Sequence, residues 1–361
     1  MLALASCGGQ AAPASSPASA AAGSAPPAVS TGAAAKPASS TSAAVKPAGS
    51  AAKPAASGQA AKLIVSYGEL VPQSVPIFVA QDAGIYQQNG LNIDLRLIVS
   101  SAEMAALLSG ETQIASAAGS QVLNAETAGA DLVVTAAIAG LSPFRLYVQP
   151  SIKSVAELKG KSVGISKFGS PSETAVRTAL AKNGLNPDKD VRIVEMGSTQ
   201  ARTAALIQGS IDAGMANPLE ADKLEQSGLH SVYDLAKEKL PSAQSVVLAK
   251  RDWVNGHRDL MQRYVDAIVQ AMARTRADKA LTIGVMKKWF KSDDDKLMGS
   301  VYDAYTGTGL WPEVPYVTPA MFDDTKAVIS ARDPKMKDYD VSKLIDSSFV
   351  KSAEERGLAK T

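Results

Sequence analysis

The chain has 361 residues, of which 46% are hydrophobic and 20% charged, and a formal net charge of +2. That length and apolar content allow a sizeable core and about two domains, while the near balance of charge argues against nucleic acid as a partner. Cys7 is the single cysteine, which excludes an internal disulfide, a CxxC redox pair and a cysteine-rich zinc site.

Leu4, Ala5, Ser6, Cys7 and Gly8 resemble the lipobox of bacterial lipoproteins, so residues 1–7 are expected to be a truncated signal and Cys7 the lipidated N-terminus. A basic n-region and a full apolar h-region are missing ahead of Leu4, a departure from a complete signal peptide. Residues 8–60 are almost wholly Ala, Pro, Ser, Gly and Thr, with Lys36, Lys46 and Lys53 and no acid. Such a segment has too little bulky apolar surface to offset its chain entropy, so it is expected to be a disordered tether with a reach of roughly 40 Å.

The folded part begins with a strand at 63–66, a polar loop from Tyr67 to Ser74, and a helix from Pro76 to about Asp82. A turn over 84–90 leads to a strand at 91–98, in which Ile93, Leu95 and Leu97 alternate. Ser100 with Glu103 has the form of a helix cap, Gly119 and Ser120 begin another helix, and 132–138 is an apolar strand. From 161 the order is strand, turn and helix twice over, then a third strand. The strands are 161–166, 191–194 and 211–216. Ser170, Pro171, Ser172 and Glu173 read as a capping box with proline at the first helical position, and Asn183-Gly184-Leu185 as the stop of that helix. Gly197 and Ser198 precede the second helix, 199–208. Strands alternating with helices at this spacing imply parallel pairing through right-handed crossovers.

Part of this unit occurs twice. Ala204-Ala205-Leu206-Ile207-Gln208-Gly209 matches Ala105-Ala106-Leu107-Leu108-Ser109-Gly110, and a short strand follows each. The offset of roughly 100 residues is far longer than a solenoid repeat, which points to two similar α/β lobes. Beyond about residue 246 the pattern turns helical, with Met261, Tyr264, Val265, Ile268, Ala271 and Met272 on one face.

Four stretches in this order resemble the solute-binding proteins of ABC importers for nitrate, sulfonates and taurine, whose relatives include the pyrimidine synthases of yeast-type thiamin biosynthesis. They are PIFVAQDAGIYQQNGLNIDL (76–95), AALLSGETQIA (105–115), SVAELKGKSVGIS (154–166) and AALIQGSIDAGMANP (204–218). With Ile345 to Val350 the resemblance covers nearly all of 62–361. It implies an α/β fold, the type II periplasmic-binding-protein clamshell, each lobe a mostly parallel sheet flanked by helices. Lobe one is then 62–147 plus 246–361 and lobe two 148–245, with crossings near Ser142-Pro143-Phe144-Arg145 and near 241–245. The resemblance further implies a monomeric, extracytoplasmic binder of a small-molecule solute that serves ABC permease transmembrane subunits, held to the membrane by its lipid and needing no cofactor.

Enzymes acting by acid-base or nucleophilic chemistry need a positioned nucleophile and base. His230 and His257 have no sequence partner, no metal motif is present, and the cysteine-rich reagent segment of the thiamin-pathway relatives is missing. Asp293-Asp294-Asp295 reads as a charge cluster at a helix start, and Gly307-Thr308-Gly309 lacks the setting of a dinucleotide site. In open α/β sheets ligands bind at the carboxyl ends of strands. The turns there nominate Tyr67, Glu69, Gln73, Ser100, Ser101 and Ser120 from lobe one, and Lys167, Phe168, Ser170, Ser198, Thr199 and Asn217 from lobe two. Helix N-termini at Ser100, Ser170 and Ser198 suit an anionic solute of sulfonate, nitrate or carboxylate type, whereas Glu69 opposes one. Pyrimidine assembly and extracellular ligand sensing are the alternative functions.

Overall fold

A computed structural model describes residues 60–360; Cys7 and residues 8–59 of the expected tether lie outside the described residues, as do the side chains of Ser100 and Ser101. The first lobe begins with β1 (Ala61–Tyr67), α1 (Val75–Asp82), α2 (Ile85–Gln88), β2 (Leu91–Leu97), α3 (Ser100–Ser109), β3 (Ile114–Ala117), α4 (Gly119–Thr127) and β4 (Leu132–Leu141). The chain then crosses to β5 (Arg145–Val148), β6 (Ser162–Ile165), α5 (Pro171–Lys182), β7 (Arg192–Glu195), α6 (Thr199–Ile207), β8 (Ala213–Ala216), α7 (Pro218–Gln226) and β9 (His230–Asp234). It returns through β10 (Pro241–Lys250) into α8 (Arg251–Gly256), α9 (Arg258–Ala277), α10 (Lys279–Phe290), α11 (Asp295–Gly307), α12 (Asp323–Ser330) and α13 (Ser348–Glu355).

The two sheets have the same plan, in the orders β2-β1-β3-β10-β4 and β7-β6-β8-β5-β9. In each, four strands point one way and the fifth runs against them: β10 in the first and β5 in the second. Each reversed strand is the one that has just arrived from the other lobe. The first crossing lies at 142–144 and the second at 235–240, a few residues before the lobe limits at 147 and 245. Arg145, Leu146 and Tyr147 already pair with β8 and β9, and Pro241 already pairs with Leu141 of β4, because the arriving strands start pairing as soon as they enter.

Both faces of each sheet are covered, which accounts for the nearly continuous burial of the short strands. On the first sheet one face packs Phe78, Tyr264, Met272, Tyr305 and Trp311, and the other packs Leu107, Leu123, Phe322 and Leu344. The second sheet lies between a layer built on Val163, Val176 and Leu180 and one built on Tyr147, Leu206 and Leu224. The repeated sequence forms α3 and α6, and the strand after each is the third in its sheet. Its glycines Gly110 and Gly209 have φ of 85° and 71° with open space where a Cβ would stand, so left-handed backbone, and not crowding, requires them. Among the described residues no helix is long and apolar enough to cross a membrane.

Two expected caps are built differently. The N-cap of α3 is Val99, which leaves Ser100 inside the helix and frees Glu103 to turn into the lobe. At α5, Ser170 is the N-cap residue but its hydroxyl donates to Lys167 O at 2.6 Å, and Glu173 accepts from Gly169 N instead of Ser170 N. The capping box read from Ser170 to Glu173 is therefore not formed, since the tight turn at Lys167 captures the serine and Glu173 has stronger partners.

Candidate functional site

Two contacts of opposite polarity join the lobes, one between α5 and the end of α12 and the other between the loop after β1 and α6. In the first, Glu173 on α5 is fully buried. It accepts from Arg177 Nε at 2.7 Å, from Gly169 N at 2.6 Å, and from both terminal nitrogens of Arg332, which reaches over from the end of α12. Burial pushes the Glu173 carboxyl up, but Arg332, Gly169 and Arg177 outweigh it and hold the pKa below the usual range. The Arg332 guanidinium also lies over the Phe168 ring, 5.2 Å from its centre, and Thr178 donates to Asp324 at 3.0 Å beside them. A shallow groove of about 450 Å³ runs along the outside of this pair, lined by Phe168, Arg177, Asp188, Ile193 and Arg332.

In the second contact the arginine is the buried partner. Arg202 on α6 is only 1% exposed. Its stem passes over β6 and β8 at Gly164 and Gly214, where a Cβ would come within 3.4 Å and 3.3 Å of its Cγ, so side chains there would close its path. Nε donates to Met215 O and Nη1 to Ser166 Oγ, both at 2.6 Å, while the buried Nη2 has no hydrogen-bond partner among the described residues. Burial lowers the Arg202 pKa, against the attraction of Glu220 and Glu69. Glu220 bonds Asn217 N at 3.0 Å, and burial raises its pKa to about 7 despite that bond and Arg202. Glu69 comes from the loop after β1 in the other lobe and lies beside the Thr199 side chain at the start of α6. Glu69 keeps solvent access, yet the protein crowded around its carboxylate raises the pKa, with Thr199 and Arg202 pulling the other way.

Lobe one carries a counterpart of this cluster. Glu103 stands two residues before its copy of the repeat, as Arg202 does before the other, and it is completely buried. Gln121 of α4 approaches it at 3.5 Å, and Gln121 and Glu220 both occupy the third position of their helices. Val65 pairs with Ile114 as Val163 pairs with Ala213, so Ser66 and Gly164 hold the same rung. Lobe one thus places a serine beside a short acid where lobe two places a glycine beside a long arginine. Among the described residues no cation faces Glu103. Burial raises its pKa to about 8, Ser66 and Gln121 opposing, and its Oε1 has no hydrogen-bond partner among the described residues.

The twelve residues nominated from sequence divide accordingly. Glu69 and Thr199 meet across the interface. Asn217 caps α7 by accepting from Leu219 N at 2.9 Å, and Ser198 caps α6 by accepting from Ala201 N at 3.1 Å. The Ser120 hydroxyl is buried and unpartnered among the described residues. Tyr67 is buried, with its ring packed edge-on against Phe78 and Trp289 at 5.2 and 6.3 Å. Gln73 is buried and its oxygen accepts from Tyr305 Oη at 2.9 Å. Ser170 is engaged in its own turn, Lys167 is exposed, and Phe168 supports Arg332. Ser100 and Ser101 have side chains outside the described residues. Arg202, Glu220, Glu103 and the Glu173–Arg332 pair are absent from the sequence nominations. Glycines inside two strands opposite a helical arginine were the available signal, since glycine in a strand marks close approach.

His230 lies on the edge strand β9, and His257 bonds Trp253 O at 2.9 Å and stacks on the Trp253 ring. Among the described residues no group of three or more His, Cys, Asp or Glu side chains is placed to hold a metal ion.

The family model described as NMT1/THI5 like matches residues 71–279, more than half of the chain, and the chain belongs to that family. A candidate binding protein of Brucella abortus (strain 2308) is 25% identical over 224 residues, 61% of this chain and 68% of the relative. Two solved structures share the fold. The periplasmic aliphatic sulphonate binding protein SsuA from Escherichia coli has a TM-score of 0.63 at 21% identity, covering 76% of this chain and 94% of that one. The periplasmic nitrate-binding protein NrtA from Synechocystis PCC 6803 has a TM-score of 0.64 at 11% identity, covering 82% and 89%.

Proposed function

We propose that this member of the NMT1/THI5-like family is the extracytoplasmic solute-binding component of an ABC importer. It captures a small polar solute with an anionic group of sulfonate, nitrate or carboxylate type between its lobes and presents it to the transmembrane subunits of the permease. A lipid on Cys7 holds it at the membrane, and residues 8–60 give it reach. One observation carries the reading: Glu69 in the loop after β1 of lobe one comes up beside Thr199 and Arg202 on α6 of lobe two, so polar groups of both lobes converge at one place. Family membership and the sulfonate- and nitrate-binding proteins that share the fold support it.

A ligand shifts an open–closed equilibrium only by the difference in its affinity for the two states. Contacts to both lobes supply that difference, and the Glu173–Arg332 pair adds closing energy on one flank. The test is small-angle scattering of the full chain with saturating sulfonates, nitrate, carboxylates and pyrimidines, first ranked by thermal shift. A binding solute is expected to reduce the radius of gyration with no change in circular dichroism. Scattering curves that superimpose with and without a saturating solute would remove the importer reading.

A further inference from the structure

Arg202 is a strong donor that the fold leaves incompletely used. Two of its nitrogens are fixed by Met215 O and Ser166 Oγ, so the guanidinium cannot turn, and Nη2 stays buried with no hydrogen-bond partner among the described residues. A buried unsatisfied donor on a charged group costs free energy until an acceptor reaches it. Beside it stands the start of α6, whose unpaired N–H groups favour negative charge. The anion that comes from the opposite lobe is Glu69, which lies beside Thr199 and attracts Arg202, with no ion pair between Arg202 and Glu69 among the described residues.

We propose that Arg202 is the receptor for an oxyanion group of the solute, with Thr199 as its second donor, and that Glu69 is a built-in competitor which the solute displaces into water. This rests on the solute-binding reading. The exchange is charge-neutral: one anion leaves the Arg202–Glu220 pair as another arrives, so Glu69 need not repel an anionic ligand. Its loop is suited to the movement, because Glu69 is exposed and Gly68 and Leu70 beside it are only partly covered. Return to water also relieves the crowding that disfavours the ionised carboxylate. Glu220 does not move in this scheme, since Asn217 N and the helix turn of α7 hold it. The class of ligand is a monoanionic carboxylate or sulfonate whose oxygens reach Nη2 and the Thr199 hydroxyl together.

Calorimetric titration of the full chain with methanesulfonate and acetate, at an ionic strength fixed with chloride, tests this. Glu69→Ala is expected to bind one or both anions about tenfold more tightly than the wild type, and Thr199→Val about tenfold more weakly. Thr199→Val keeps the buried volume and branching, so the pair of variants moves affinity in opposite directions on one fold. Unchanged or weaker anion binding by Glu69→Ala overturns the proposal. If a neutral solute such as uracil compacts both proteins with equal affinity while neither anion binds, the proposal fails and the importer reading stands; if no compound compacts either protein, both fail.

Discussion

Arg202 in lobe two and Glu103 in lobe one occupy equivalent places in two copies of one architecture, and they reach opposite electrostatic states. Each is buried, stands two residues before its copy of the repeat, and neighbours the third residue of the helix after the third strand. Around Arg202 that neighbour is the acid Glu220, and a second acid arrives from the other lobe, so the charge is kept. Around Glu103 the neighbour is the amide Gln121 and no cation arrives, so the carboxyl resists ionisation until about pH 8. A buried charge persists where compensation comes with it, and a buried acid without compensation stays protonated. The same scaffold has therefore buried a compensated arginine in one lobe and an uncompensated acid in the other.

The sharpest way to break this contrast is Arg202→Leu. It leaves Met215 O, Ser166 and Glu220 without their partner and is expected to cost about 3–5 kcal/mol in a denaturant melt. A cost below about 1 kcal/mol would mean that the arginine is not held as a charge.

Glu103→Gln is expected to act in the opposite direction and to depend on pH. With a native pKa raised to about 8, the folded wild type holds a proton that the unfolded chain releases above its ordinary glutamate value. Wild-type stability therefore falls as pH rises from the ordinary glutamate range to about 8, and the glutamine variant escapes that loss. The variant should melt like wild type at pH 4.5 and be more stable by on the order of 1–3 kcal/mol above pH 8. Parallel pH profiles would show that Glu103 is ionised at no special cost.

The smallest test concerns the helix starts themselves. Ser198 caps α6, whereas Val99 occupies the same place on α3 and makes no side-chain cap. Ser198→Ala should cost about 1 kcal/mol and Val99→Ser should gain up to about 1 kcal/mol, both read from thermal melts. Equal effects of the same sign would mean that capping does not distinguish the two helices.

Much of the architecture was legible because it rests on local rules. Apolar strands, glycine stops and alternation with helices are dictated within a few residues, and the repeat exposed the two lobes. The site was legible only in outline. Turns at strand ends could be named, and two of their residues, Glu69 and Thr199, do meet. Serines on the strand-end turns of both lobes suit an anion at a helix start, but Ser170 and Ser198 spend their hydroxyls on their own backbone. Tyr67 opens the loop after β1, and its ring packs against Phe78 of the next helix and against Trp289, which comes from far along the chain.

What the sequence determined by itself is the class of fold and the duplicated α/β unit, set by period, composition and short-range backbone chemistry. What only the tertiary structure decided is which charged groups are buried together. Glu173 finds Arg332 across 159 positions of chain, and Arg202 lies between Gly164 and Gly214 with Glu69 arriving from the other lobe. Burial and compensation are properties of surroundings, and those surroundings exist only after the two sheets have brought distant residues to one place.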